Sequence, residues 1–409
     1  MATQSVSTAS ALFKTKYVRL SKDMFNSDEP VKAKIKRHDD FYGDQGRISV
    51  PTSFGGGVGS GKFPRPNPAS YIKCDFTAKK MHAIIQVDRE SIKAAESDEG
   101  AFVRMTKEAV KRGVQSFNRN VSRVLFNDSL ATNGNGRLGT FSGNQTAAGT
   151  DTYTVVVEAA TWKLANFEVK DYVNINTYGT EWEITAVVPS TRTITLVRRS
   201  GAAVDLAAIG AGTHSIYLQN SKDQDPTGLR GVLTATSGSV YGNSIGYRWQ
   251  AASQLTSLST GLTVDLMNKQ VLEIKYAFGE APDMMVTSFV QYRRLLNQLE
   301  DQKRYMIVES RNEGPKGKFS FQALEFMSDS GPIPVMADRF VEDDTFYSLN
   351  SDFIEMFARP DGGWVDDEVS GVIFRNSDVE DVLEARYTVY YENVIHPTPH
   401  GIMTGLTTS

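Results

Sequence analysis

The chain has 409 residues, 40% hydrophobic and 22% charged, with a formal net charge of -4, which gives it the profile of an ordinary soluble chain long enough for two or three packed units. That balance is not built for nucleic acid, no run approaches the roughly 18 apolar residues of a membrane helix, and Met1-Ala2-Thr3-Gln4-Ser5 lacks the charged and apolar regions of a signal peptide. The expectation is a protein that stays in the cytosol where it is made, with idle sequons at Asn120, Asn127 and Asn144 and no intrachain disulfide, because Cys74 is the only cysteine.

Residues 1–40 are polar and irregular, with a basic run (Lys32, Lys34, Lys36, Arg37) after Pro30, and read as an N-terminal arm. Residues 43–54 and 69–89 are extended by composition: Arg47-Ile48-Ser49-Val50 runs into a glycine tract, Tyr71 to Phe76 alternates on the way back, and Ile84-Ile85-Gln86-Val87 continues the return. Cys74 falls inside this pattern as a buried or half-buried thiol. Between the flanks, Gly56 to Lys62 has the spacing of a phosphate-binding loop. Such a loop needs a helix N-terminus and a Ser or Thr after the lysine; Phe63 stands there instead, and prolines 64, 66 and 68 remove donors and disfavour the helical region. No nucleotide is expected, and the tract reads as the tip of a long projecting hairpin. A hairpin with so few apolar residues at its tip is not stable alone, so it should lie on something else, most simply another copy of the chain.

Val103, Val110, Val114, Phe117, Val121 and Val124 recur at spacings of seven, four, three, four and three, which predicts a helix running to about Asn127. Ser97 and Asp98 are its candidate caps. It would be roughly 40 Å long at 1.5 Å per residue. Gly113, at its middle, costs about 1 kcal/mol and asks for a close contact. Residues 128–145 are rich in turn residues, and then the period changes to two. Five short strands are predicted, at Tyr153–Val157, Tyr172–Ile175, Trp182–Val187, Thr193–Val197 and His214–Leu218, in the pattern of a small antiparallel barrel or sandwich. No basic or aromatic platform marks it as an oligonucleotide binder, which favours a structural use.

From Asp223 the pattern is mixed. Thr263 opens a helix carrying Met267, Val271 and Ile274, ended by Gly279 and Pro282; Met284-Met285-Val286-Thr287 is a buried strand; and Ser288 with Gln291 predicts a capping box for a helix bearing Tyr292, Leu295, Leu296 and Leu299. Further strands are predicted at Pro334–Met336, Thr345–Leu349 and Ile354–Phe357, with a long alternating run from Leu383 to Val394. Chemical constellations are poor. His38, His82, His214, His396 and His400 are scattered, and the prolines of His396-Pro-Thr-Pro-His400 deny it a helix, so it reads as a surface turn. Glu342-Asp343-Asp344 and Asp366-Asp367-Glu368 lack the spaced oxygens of a calcium loop and read as solvated runs or salt-bridge partners across subunits; Trp249, Trp364 and Phe374 read as core or interface anchors. No catalytic, cofactor-binding or metal-binding residue is expected.

The order of these parts resembles the tailed-bacteriophage major capsid proteins of the Hong Kong 97 type. Local matches are Asp225-Pro226-Thr227-Gly228-Leu229-Arg230-Gly231-Val232-Leu233, Met285-Val286-Thr287-Ser288 leading into Leu295 to Asp301, and Gly331-Pro332-Ile333-Pro334-Val335-Met336-Ala337-Asp338 before Phe346-Tyr347-Ser348-Leu349. The resemblance implies an α+β chain with an N-terminal arm at 1–40, an E-loop hairpin at 41–90, a spine helix and peripheral domain at 91–143, an inserted β-domain at 144–221, an axial domain at 222–377 and a closing peripheral strand at 378–409. It departs from the founding member in lacking a long helical N-terminal segment and in carrying the insertion. The function it implies is self-assembly into the icosahedral head shell of a tailed double-stranded DNA phage through hexamers and pentamers. Scaffolding and portal proteins would be partners, packaged DNA would be touched only weakly and non-specifically, and assembly would take place in the host cytoplasm. Phe54, Gly56, Gly59, Lys62, Phe63 and Arg65 become the expected intersubunit contacts; Lys62 reads as a solvated loop lysine before it reads as a cross-link donor. The competing readings are a modular binding protein that uses the β insertion, and a hydrolase without recognisable motifs.

Overall fold

A computed structural model describes residues 31–39, 41–43, 45–53, 70–88, 99–128, 135–142, 145–149, 151–176, 180–202, 204–206, 213–246, 248–301, 324–360, 363–365, 375–376 and 382–408. Two compact units emerge: one within residues 1–125, 224–227 and 355–394, the other within 126–223, 228–354 and 395–409.

In the first unit the alternating run forms the strand Val382–Ile395, which takes Lys79–Asp88 antiparallel with Tyr391 opposite Lys79 and Val382 opposite Asp88. The short strands Gly363–Val365 and Arg375–Asn376 also pair with it, and Lys36–His38 adds in parallel to Ile354–Ala358 in the same sheet. The period-two pattern puts Ala385, Val389 and Tyr391 on the buried face. The long helix Glu99–Leu125 packs there through Phe117 and Val121, with Met356 completing the cluster; the start that Ser97 and Asp98 would cap lies outside the described residues. Gly113 is required by a close approach: a Cβ there would come 2.5 Å from Cγ1 of Ile85, a side chain of the strand Lys79–Asp88. The close approach is thus of helix backbone to a side chain.

Ile84 to Val87 does not continue the hairpin. The chain breaks from the hairpin after Thr77, and Lys79–Asp88 joins the sheet of Val382–Ile395. A strand with Ile85 buried and Ile84 exposed fits a sheet that is packed on one face.

In the second unit, all five strands predicted between 153 and 218 are present, and two more flank them. Arg137–Ser142 and Thr146–Gly149 lie where the turn-rich composition concealed them, in the sheet order 137–142, 213–218, 172–175, 181–188, 193–200, 152–156, 146–149. Inward residues, among them Val155, Val173, Ile175, Trp182, Ile184, Ile194, Leu196 and Ile216, form one cluster with no exposed surface at those positions.

The rest of this unit builds a six-stranded sheet in the order 253–255, 401–403, 346–349, 284–287, 331–337, 324–328. Met284 to Thr287 are all buried, as their sequence predicts. Thr263 caps the helix Val264–Phe278, accepting a hydrogen bond from the Leu266 amide, and Gly279 ends it at φ 98°. The capping box at Ser288 is only half formed. Ser288 Oγ accepts from the Gln291 amide at 3.3 Å, but Gln291 Nε2 donates to the carbonyls of Asp343 and Thr407 at 2.9 and 2.8 Å. The side chain ties the helix Phe289–Asp301 to two loops instead of to its own first turn.

Candidate functional site

The hairpin forms over part of its predicted length: Gln45–Ser53 pairs antiparallel with Ser70–Thr77, setting Gly46 opposite Phe76, Ile48 opposite Cys74 and Val50 opposite Ile72. Strict alternation gives the ribbon two chemically distinct faces. Arg47, Ser49 and Pro51 share the polar face with Tyr71, Lys73 and Asp75, and Arg47 reaches across to Asp75 at 2.5 and 3.0 Å. The hydrogen bond from Arg47 holds the Asp75 carboxyl below its usual range, but a solvated pair of this kind contributes little to stability.

The apolar face changes along its length. At the base, Phe76 packs against Phe41 and Phe357 with ring centres 5.5 and 5.1 Å away, and His38 stacks on Phe357 at 4.8 Å. Gly46 is required here, because a Cβ would meet the Phe76 ring at 2.2 Å. Cys74 is buried beside it, and burial pushes its thiol up to about 11, so it is a packing residue and not a nucleophile. Farther out, Ile48, Val50 and Ile72 are only half-buried, and so their apolar surface outlasts the cover that the base provides. The expected contact residues Phe54, Gly56, Gly59, Lys62, Phe63 and Arg65 lie outside the described residues.

Other sequence candidates resolve into core. His396-Pro397-Thr398-Pro399-His400 is not a surface turn. His400 is fully buried, its Nδ1 accepting from the Asn350 amide at 3.1 Å, and His396 sits among Trp249, Phe278 and Phe353. Burial lowers their pKa values to about 4 for His396 and about 3 for His400, leaving both neutral at ordinary pH. Among the described residues no group of three side chains is placed to hold a metal ion. Trp249 is buried and Trp364 packs edge-on against Tyr387; Phe374 and Asp366-Asp367-Glu368 lie outside the described residues.

Glu342 is not part of the solvated or intersubunit acidic run that the sequence predicts. It is buried within its own unit, 2.5 Å from Lys163 Nζ and 3.2 Å from Arg230 Nη1. Burial would raise its pKa; the charges of Arg230 and Lys163, with the hydrogen bond from Lys163, overcome that and hold it low. Lys163 follows the strand Thr152–Val156, and Arg230 sits on the short helix Leu229–Thr234, so one carboxylate ties the seven-stranded sheet region to the lobe beside it. Nothing in the spacing of three such distant residues marks them as a group.

No family model and no curated protein matches the sequence. Among solved structures, the capsid asymmetric unit of cyanophage A-1(L) is similar over 95% of this chain and 92% of its own, at 11% identity and a TM-score of 0.50. The capsid of a native GTA particle (94% and 91% covered, 10% identity, TM-score 0.46) and the procapsid of satellite phage P4 including its size determination protein (95% and 91%, 8%, 0.45) are similar over comparable spans, at scores that add no weight. The fold is that of a phage capsid protein, as the resemblance implied.

Proposed function

We propose that this chain is a capsid shell protein of a tailed double-stranded DNA phage and works by self-association through hexamers and pentamers. The observation that carries the reading is the ribbon of Gln45–Ser53 and Ser70–Thr77, whose outer apolar residues Ile48, Val50 and Ile72 are only half covered within their own unit, in a chain with a capsid-protein fold. A neighbouring copy is the cover that a shell supplies. In this reading residues 41–90 are the E-loop, with Phe54, Gly56, Gly59, Lys62, Phe63 and Arg65 as its contact tip. The helix Glu99–Leu125 is the spine; 144–221, joined in its sheet by the strand Arg137–Ser142, is an inserted β-domain; and 222–377 is the axial domain up to about residue 354, beyond which the chain returns to the sheet of Val382–Ile395. The arm at 1–40 ties subunits together, scaffolding and portal proteins act in assembly, and the shell is built in the host cytoplasm to become part of the virion.

The test is the size of the particle. The purified chain, alone or co-expressed with a scaffolding partner, is expected to sediment in the megadalton range and to show closed shells by electron microscopy. A strictly monomeric profile under every co-expression condition overturns the reading.

A further inference from the structure

The first unit contains one short segment from the middle of the chain, residues 224–227, through which the polypeptide passes between 126–223 and 228–354. Four residues offer little surface to bury, so specific bonds hold them. Arg123, near the end of the long helix, pairs with Asp225 at 3.2 Å, both buried. Asn393 Nδ2 donates to the Thr227 carbonyl at 2.9 Å, and the Thr227 amide donates to Glu392 Oε1 at 2.5 Å. All of these residues belong to the first unit.

Glu392 is the odd member of this set. Asp225 has a buried cation; Glu392 is equally buried, yet no ion pair to it occurs among the described residues. We propose that Glu392 is a proton-operated clasp on residues 224–227, closed while its carboxyl is protonated and loosened as the carboxyl ionises.

The physical basis is the cost of a buried anion that no cation pairs directly. Protonated, the carboxyl still accepts the Thr227 amide, and its O–H adds a donor beside the Thr227 hydroxyl, which also hydrogen-bonds it. Ionised, it holds a full charge out of water. The charged and titratable groups facing this site are Lys79, opposite Tyr391 across the sheet; Tyr391 itself, whose phenol burial pushes well above its usual range; and the Arg123–Asp225 pair. Burial moves Glu392 from 4.5 up to about 7, outweighing the Thr227 bonds, the charge of Lys79 and the Asn393 backbone hydrogen bond, all of which favour the ionised form. A carboxyl raised in the closed state contributes its full stabilisation below about 4.5 and loses it as pH rises through about 7.

Hydrogen exchange read by mass spectrometry on the full chain tests this. After correction for intrinsic exchange, protection of a peptide containing Thr227 should fall by up to about tenfold per pH unit between about pH 5 and 7 and level off above. E392Q, neutral with the same shape, should abolish that slope. A wild-type slope of zero, or an E392Q slope equal to wild type, overturns the proposal. Should E392Q fail to fold, the wild-type chain decides alone: a slope confined to the Thr227 peptide supports the clasp, and the same slope in a reference peptide from residues 181–200 overturns it.

Discussion

The seven-stranded sheet and the hairpin ribbon are both antiparallel and both alternate apolar with polar residues, yet they finish their apolar faces differently. In the sheet, Val173, Ile194 and Trp182 have no exposed surface. In the ribbon only the base is closed, by Phe41, Phe76 and Phe357, and Ile48, Val50 and Ile72 stay half-buried. One region is closed by its own residues; the other keeps apolar surface half open along Ile48, Val50 and Ile72. The same sequence pattern is therefore closed by the chain's own residues in one place and, in the proposed function, left open for a second copy in the other.

The contrast breaks most visibly at Trp182. Trp182→Ala should cost about 3–5 kcal/mol, because its cavity opens in a packed interior, and should lower the thermal midpoint of the whole second unit. A change below about 1 kcal/mol would mean that the sheet is not self-supporting.

The second effect concerns the tie that anchors the sheet region. Glu342→Gln removes the counter-charge of buried Lys163 and Arg230 and should cost about 3–5 kcal/mol in chemical unfolding. With its carboxyl held below 4.5 in the folded state, Glu342 stabilises the wild type above that pH and loses this contribution as pH falls through the lowered value. The variant should therefore show a shallower acid limb.

The ribbon should respond in the opposite way. Ile72→Asp, at a half-buried position, is expected to lower subunit stability by no more than about 1.5 kcal/mol while abolishing closed particles in sedimentation. Equal loss of both would place Ile72 in the subunit core and collapse the comparison.

The smallest effect is chemical. With its thiol at about 11, Cys74 should react with a thiol reagent at pH 8 far more slowly than an unfolded control. Its reactivity should rise only as the pH is taken above 10. Fast labelling at pH 8 would show that the hairpin base opens.

What the sequence made legible was set by periodicity. The valine-lined helix, the strands from Tyr153 to Leu218 and the buried Met284–Thr287 all have a pattern local enough to read. Arg137–Ser142 was hidden because its glycine, threonine and serine share the composition of turns, while tertiary packing decided its conformation. Lys79–Asp88 could not be separated from the hairpin because nothing in its own residues says that its pairing strand lies at 382–391. For the candidate site, the ribbon's two faces were readable from alternation. The burial of Glu342 and His400 was not, because charge and ring type signal exposure until three-dimensional neighbours overrule them.

The placement of Val382–Ile395 at the centre of the first sheet has a consequence for how the chain is made. The ribosome releases Lys79–Asp88 early, but the strand it pairs with comes about 300 residues later, a wait of roughly 15–60 s at translation rates of about 5–20 residues per second. The seven-stranded sheet spans one continuous stretch from Arg137 to Leu218 and has every strand it needs within that interval. During synthesis it should be a finished body while the first unit still lacks its middle strand. The surface that such an unfinished sheet exposes, with Ile85 uncovered, is where a nascent chain of this protein should most need a chaperone.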